Sequence, residues 1–309
     1  MKGITKGYIL GAVAAISYGT NPLFAVPLYE MGMSVPSVLF YRYLIATVLL
    51  GLVMIKRGSS FRLSRRQVPL MFVQGVLFAL SSVGLFEAYN YMDVGIASTM
   101  LFVEPIFIAL ILWIFYRQRI SVSTAIAIAV SFAGVVLLAN PGPGANVSAL
   151  GVVLVMLSAL SYSVYMILIS KTSLQRLAGP TLTFYSLLFG LSVFIVQLKG
   201  LTALQPVPVN PLGIGCAVGL SVVPTIVSIL TVAVAVQLIG SVPVSILGAL
   251  EPVTGVLVGV LVFGEFLTFK AVLGIVLILA AVFLLVTSPQ KLLRNGKAMF
   301  HHFRMPGRR

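Results

Sequence analysis

Apolar stretches of about 20 residues, interrupted by short polar or proline- and glycine-bearing breaks, run from near residue 7 to residue 287. A bilayer core about 30 Å thick is crossed by about 20 helical residues. Ten stretches meet or approach that length: 7–28, 37–55, 68–91, 94–116, 121–139, 149–170, 180–198, 212–238, 241–263 and 269–287. Each is bounded by a turn signal, among them Glu30-Met31-Gly32, Lys56-Arg57-Gly58, Asp93, Asn140-Pro141-Gly142-Pro143-Gly144, Gly179-Pro180 and Gly240. The runs are too long for barrel strands and do not alternate, so helices are the predicted spanning form.

The polar residues inside these runs repeat. Glu104-Pro105 recurs as Glu251-Pro252, 147 positions on, and the flanks align without a gap through Ser98/Ser245, Leu110/Leu257, Ile128/Ile275 and Ala133/Ala280. A second fragment, 144 positions apart, pairs Gly7, Leu10, Ala15, Ser17 and Tyr18 with Gly151, Leu154, Ala159, Ser161 and Tyr162. Apolar matches carry little information here, whereas two of only six acidic residues each preceding a proline do. Both fragments in the same order predict an internal duplication. Five spans per unit is an odd number, so the second unit enters the membrane upside down relative to the first, as in many secondary transporters. The expectation is an all-α membrane protein with ten transmembrane helices as two inverted five-helix repeats. The units are 1–145 and 146–288, followed by a basic cytoplasmic tail, 289–309.

Composition narrows the function classes. Only 8% of residues are charged and 60% are hydrophobic, against about 25% charged in soluble domains. The net charge of +14 does not mark a nucleic-acid binder, because the basic residues fall in short loops and the tail. They also sort by side. Lys2, Lys6, Lys56, Arg57, Arg62, Arg65, Arg66, Arg117, Arg119, Lys171, Arg176 and the tail collect on one side, and only Lys199 and Lys270 on the other. Both termini are therefore expected in the cytoplasm, with the chain in the cell's inner (plasma) membrane. The first apolar run has no clear cleavage site and reads as a retained span. The single Cys216 excludes an intramolecular disulfide or cysteine cluster. With His301 and His302 in the tail and Asp93 the only aspartate, no metal, cofactor or intramembrane catalytic machinery is expected.

Glu104 and Glu251 each fall about nine or ten residues, or roughly 14–15 Å, from a helix end. Both carboxyls then land near mid-bilayer although their helices run in opposite directions. A charge there costs at least about 2.5–3.5 kcal/mol, so such an acid is expected to face the bundle interior or water. A structural kink whose neutral carboxyl bonds a neighbouring helix is the plainer alternative. Pro105 and Pro252 lack a backbone donor and are expected to leave the carbonyls of Leu101 and Gly248 free. Arg42 and Glu87 lie nearer the outer face, where they could form an ion pair, or Arg42 could receive a substrate carboxylate. Polar stripes recur at helical spacing: Ser17, Thr20 and Asn21; Ser158, Ser161, Tyr162 and Tyr165; Glu87 and Asn90; Ser228 and Thr231. Bonding helix to helix is their plain reading, and Gly255 with Gly259 reads as a packing contact. The candidate substrate contacts are Glu104, Glu251, Arg42, Glu87, Asn90, Asn21, Tyr18, Ser161, Tyr162 and Tyr165.

Together, Ala15-Ile16-Ser17-Tyr18 and Ala159-Leu160-Ser161-Tyr162, the two Glu-Pro helices and the Phe263-Gly264-Glu265-Phe266-Leu267-Thr268 turn resemble the EamA-type branch of the drug/metabolite transporter superfamily, over residues 7–288. The resemblance implies two inverted repeats around a central cavity, alternating access, and movement of small metabolites, often amino acids or related compounds and often outward. The chain departs from it at Tyr116-Arg117-Gln118-Arg119, where the second half has the acidic turn. The expected function is a secondary transporter of a small metabolite, with proton coupling open, acting as monomer or dimer in the lipid bilayer. A passive channel or a membrane-embedded enzyme are the alternatives. The tail, with Phe300, Phe303 and Met305 among its basic residues, is expected to rest on anionic lipid.

Overall fold

The computed structural model describes residues 2–88, 90–92, 97, 100–118, 120–139, 148–263 and 269–287. Asp93, Ser98, Arg119, the Asn140–Gly144 turn, the acidic turn at Gly264-Glu265 and the tail from Pro289 lie outside the described residues. The first half of the chain contributes α1 (Lys2–Gly19), α2 (Asn21–Glu30), α3 (Val35–Lys56), α4 (Gln67–Ala88), α5 (Glu104–Tyr116) and α6 (Val122–Ala139). The second half contributes α7 (Ala149–Lys171), α8 (Gly179–Gln197), α9 (Pro211–Ser221), a π-helical segment (Val222–Val227), α10 (Ser228–Ile239), α11 (Ser241–Leu247), α12 (Leu250–Phe263) and α13 (Phe269–Thr287). Proline opens α2, α3, α5, α8 and α9, where its missing N–H costs nothing. At the start of α9 the Asn210 side chain accepts the Gly213 N–H at 2.6 Å, which serves one of the helix's orphan donors.

Among the described residues, six stretches are long and apolar enough to cross a membrane: Gly3–Glu30, Val35–Lys56, Gln67–Ala88, Ala149–Lys171, Gly179–Gln197 and Pro211–Ile239. Three apolar helices are shorter, Glu104–Tyr116, Val122–Leu137 and Val272–Leu284. Ten full-length spans were expected, and helix breaks account for part of the difference. The 241–263 stretch is cut at Gly248-Ala249 into pieces of 7 and 14 residues. The helix beginning at Glu104 has 13 residues, about 20 Å at 1.5 Å per residue. Many large apolar side chains face outward among the described residues, with Phe115 76% and Phe269 82% exposed alongside Val196, Leu261 and Phe283. A belt of that size must be covered, and acyl chains cover it without leaving polar groups unpaired.

Most of the extensive helix pairs join one half of the chain to the other. α4 packs on α7 and α1 on α10; α1 packs on α12 and α5 on α7; α3 meets α9 and the π segment, and α4 meets α8. Exchanging the halves in chain order turns each of these pairs into its mate. The pairs α3–α8, α6–α13 and α5–α11 map onto themselves. α3 and α8 are clasped at both ends. Near one membrane face the Ser34 N–H donates to Gln205 Oε1, and the Gln205 N–H donates to Ser37 Oγ at 3.1 Å. Near the other, Thr181 Oγ1 donates to the Ser60 carbonyl and Tyr185 OH to the Phe61 carbonyl, both at 2.8 Å.

Close backbone approach depends on glycine in a few places. A Cβ on Gly75 would stand 2.8 Å from the Ser186 carbonyl, and one on Gly134 2.8 Å from the Gly274 carbonyl, so α4 meets α8 and α6 meets α13 almost backbone to backbone. Gly255, expected to be a packing contact, has nothing among the described residues within 4 Å of its Cβ direction. The side chain position of Gly259 lies outside the described residues.

Candidate functional site

Glu104 is the first residue of α5 and Glu251 lies in the first turn of α12, each directly after a break in the helical path, at Phe102-Val103 and at Gly248-Ala249. A carboxylate in the first turn of a helix is favoured by the partial positive charge of its free N–H groups. Broken helices that present such ends near the membrane midplane recur in transporter binding sites. The Gly248 carbonyl is not free as expected: it accepts the Glu251 N–H at 2.8 Å, because the chain tightens into a turn where Pro252 removes the usual donor. The Ser163 hydroxyl on α7 donates to the Ala159 carbonyl of its own helix at 2.7 Å and stands 3.3 Å from the Glu104 carbonyl, which brings the start of α5 against the second half. Gly19 does the same for α12. A Cβ there would stand 2.5 Å from the Glu251 carbonyl oxygen and 2.6 Å from Thr254, so only glycine lets the end of α1 lie against the Glu251 backbone.

The two glutamates lie within Coulombic reach of each other, one from each half of the chain. Tyr18 lies within reach of both and of Arg42, and Tyr162 within reach of both and of Tyr18 and Tyr165. Glu104 and Glu251 are both half-buried. Aromatic rings form one wall. Tyr162 stacks on Tyr165 with centroids 5.3 Å apart, Phe78 lies 5.1 Å from Tyr165, and Tyr43 lies 5.5 Å from Phe78. Tyr165 is fully buried and its hydroxyl has no partner among the described residues, while Tyr43 OH shares a 3.0 Å hydrogen bond with Ser82.

Arg42 does not pair with Glu87. Its side chain crosses to the second half, where Nε donates to Thr225 Oγ1 at 2.6 Å and Nη2 to the Pro224 carbonyl at 3.2 Å. The Tyr18 ring stands over the guanidinium, 5.4 Å from Cζ to centroid, within cation–π range. The reason lies in the π segment. Pro224 offers no N–H to the Leu220 carbonyl, and Thr225 Oγ1 donates to that oxygen at 2.7 Å, which leaves its own lone pair for Arg42. Glu87 instead accepts a 3.2 Å bond from Asn90 Nδ2, nearer the helix end. Asn21 is buried with Oδ1 unpartnered, and Ser161 is half-buried one position before Tyr162. Of the expected set, Glu104, Glu251, Tyr18, Arg42, Tyr162 and Tyr165 converge, and Glu87 and Asn90 form a separate pair.

Other hydroxyls of the expected stripes are spent locally. Ser17 donates to the Val13 and Ala14 carbonyls, Thr20 to Ser17, and Thr231 to Val227 and Ser228. Ser158 Oγ donates across the helix interface to the Ser81 carbonyl at 2.6 Å. Sequence reasoning missed Thr225 and Pro224, although a proline followed by a hydroxyl residue within an apolar run was the available signal.

Residues 5–140 and 149–287 each match the model of the EamA-like transporter family. An uncharacterized transporter of Clostridium kluyveri is 22% identical over 89% of this chain and 91% of its own length. The uncharacterized transporter YvbV of Bacillus subtilis is 28% identical, with the match spanning 54% of this chain and 55% of that protein. The pseudopaline exporter CntI of Pseudomonas aeruginosa is 30% identical over 38% of this chain and 40% of its own. A solved crystal structure superposes with a TM-score of 0.74 at 17% identity, covering 90% of this chain and 96% of the other, which is likeness of fold alone.

Proposed function

The chain belongs to the EamA-like transporter family, and from that premise we propose that it is a secondary transporter moving a small, amino acid-like metabolite across the cytoplasmic membrane by alternating access. Two inverted five-helix repeats, ten spans in all, with both termini cytoplasmic, form its working plan. Support comes from the family match to both halves and from helix pairs that exchange with one another when the halves are swapped. The observation that carries the reading is that Glu104 and Glu251, one from each half, stand at matching helix breaks within Coulombic reach of each other. Two acids there favour a cationic group on the substrate or a proton that exchanges with it. Outward movement is supported by a relative that carries the name of an exporter.

The test is counterflow of labelled amino acids and amines in proteoliposomes. Wild-type protein is expected to show saturable exchange that changes with pH. Glu104→Gln and Glu251→Gln are expected to lower it about tenfold or more, about 1.4 kcal/mol or more each, and to flatten the pH dependence. Non-saturable flux would instead support the channel alternative.

A further inference from the structure

Arg42 is 1% exposed and its guanidinium is held by one edge only. Nε and Nη2 form the side-on edge of the fork, and both bind the π segment, at Thr225 Oγ1 and the Pro224 carbonyl. Among the described residues, Nη1 has no acceptor in hydrogen-bond geometry. No carboxylate among the described residues makes an ion pair with Arg42, and its charge is met by the Tyr18 ring and hydroxyl, a threonine oxygen and a carbonyl. A buried cation left in that state is costly, and a well-anchored guanidinium with a free edge is a ready receiver for an anion.

We propose that the open Nη1–Nη2 edge of Arg42 receives an anionic group of the transported molecule, a carboxylate being the planar anion that two parallel N–H groups fit. The inference rests on the transporter reading and deepens it. Thr225 and Pro224 act as positioning groups that hold the side-on edge, so little side-chain freedom remains to be lost when the anion binds. The Tyr18 side chain lies against the guanidinium and is the neighbour that the anion has to displace. Tyr18 also neighbours Glu104 and Glu251, which places a cation-favouring pair next to the anion-receiving edge.

The test uses thermal shift of the purified full-length protein with probe pairs that differ by one carboxylate: phenylalanine and phenethylamine, tyrosine and tyramine, lysine and cadaverine, arginine and agmatine. At least one carboxylated probe is expected to stabilise the wild type at concentrations about tenfold or more below its amine, a difference of about 1.4 kcal/mol. Arg42→Gln is expected to abolish that preference and Arg42→Lys to reduce it. Equal response to both members of every pair, no response to any carboxylated probe, or a preference retained in Arg42→Gln would overturn the proposal. Should Arg42→Gln not fold, Thr225→Val decides: a several-fold weaker preference supports the proposal and an unchanged one counts against it. A carboxylated probe that binds in this way without saturable counterflow keeps the anion site and removes the transport reading. Counterflow of amines alone does the reverse.

Discussion

Hydroxyl side chains are the commonest polar groups in these helices, and at most positions the protein's own backbone uses them. Ser17, Thr20 and Thr231 bond carbonyls of their own helix, and Ser158 bonds Ser81 across an interface. Such bonds in membranes are worth about 0.6 kcal/mol on average. Ser158→Ala is therefore expected to lower stability by less than about 1 kcal/mol and to leave counterflow within about twofold of wild type, measured by thermal unfolding and exchange in vesicles. A large loss of exchange with normal stability would put Ser158 in the substrate path. The spacing of Ser158, Ser161, Tyr162 and Tyr165 was legible from sequence; which of them point at a ligand was not. Spacing reports a shared face, while the choice between a carbonyl and a ligand depends on the neighbouring helix.

Breaks in helices organise the elements around the site. Four of them gather there: Gly19-Thr20, Phe102-Val103, the π segment at Val222–Val227, and Gly248-Ala249. The two before the Glu-Pro pairs were foreshadowed by proline, and they fall within one residue of each other when the halves are aligned. The π segment was not foreshadowed to that extent, because a proline in a helix can end it, kink it or widen one turn. Gly19 sets how closely the first break meets the last. Gly19→Leu must displace the Glu251 carbonyl or push α1 away from α12. Exchange is expected to fall more than tenfold while a folded, monodisperse protein is retained. Gly255→Leu, which enters open space, is expected to change exchange less than twofold and serves as the paired control.

At the scale of the whole molecule, interfaces between the halves outweigh those within them, and α3 with α8 is tied at both membrane faces. In the proposed function, two units rock against each other about that shared centre. Its sidedness can be read by thiol labelling, since the only native cysteine, Cys216, is buried. With Cys216 replaced by alanine, cysteines at Lys2 and Ser60 are expected to react only from the cytoplasm, and one at Thr202 only from outside. Labelling of the Lys2 and Thr202 positions from the same side would remove the inverted arrangement.

Sequence by itself determined the solvent and the class. Apolar runs of bilayer length, few charges and a one-sided distribution of lysine and arginine admit only a helical membrane protein, and the repeated Glu-Pro pair marks two matching helices within it. These are properties of one segment at a time, set by transfer free energy and the missing proline donor, so they survive without knowledge of any partner. The destination of Arg42 was decided only by tertiary structure. Its acceptors lie 182 and 183 residues away and exist because a widened turn turns out one carbonyl and one hydroxyl at the point where α3 passes. Buried polar groups take whichever partner close packing brings within 3 Å or so, and no pattern along the chain encodes that distance.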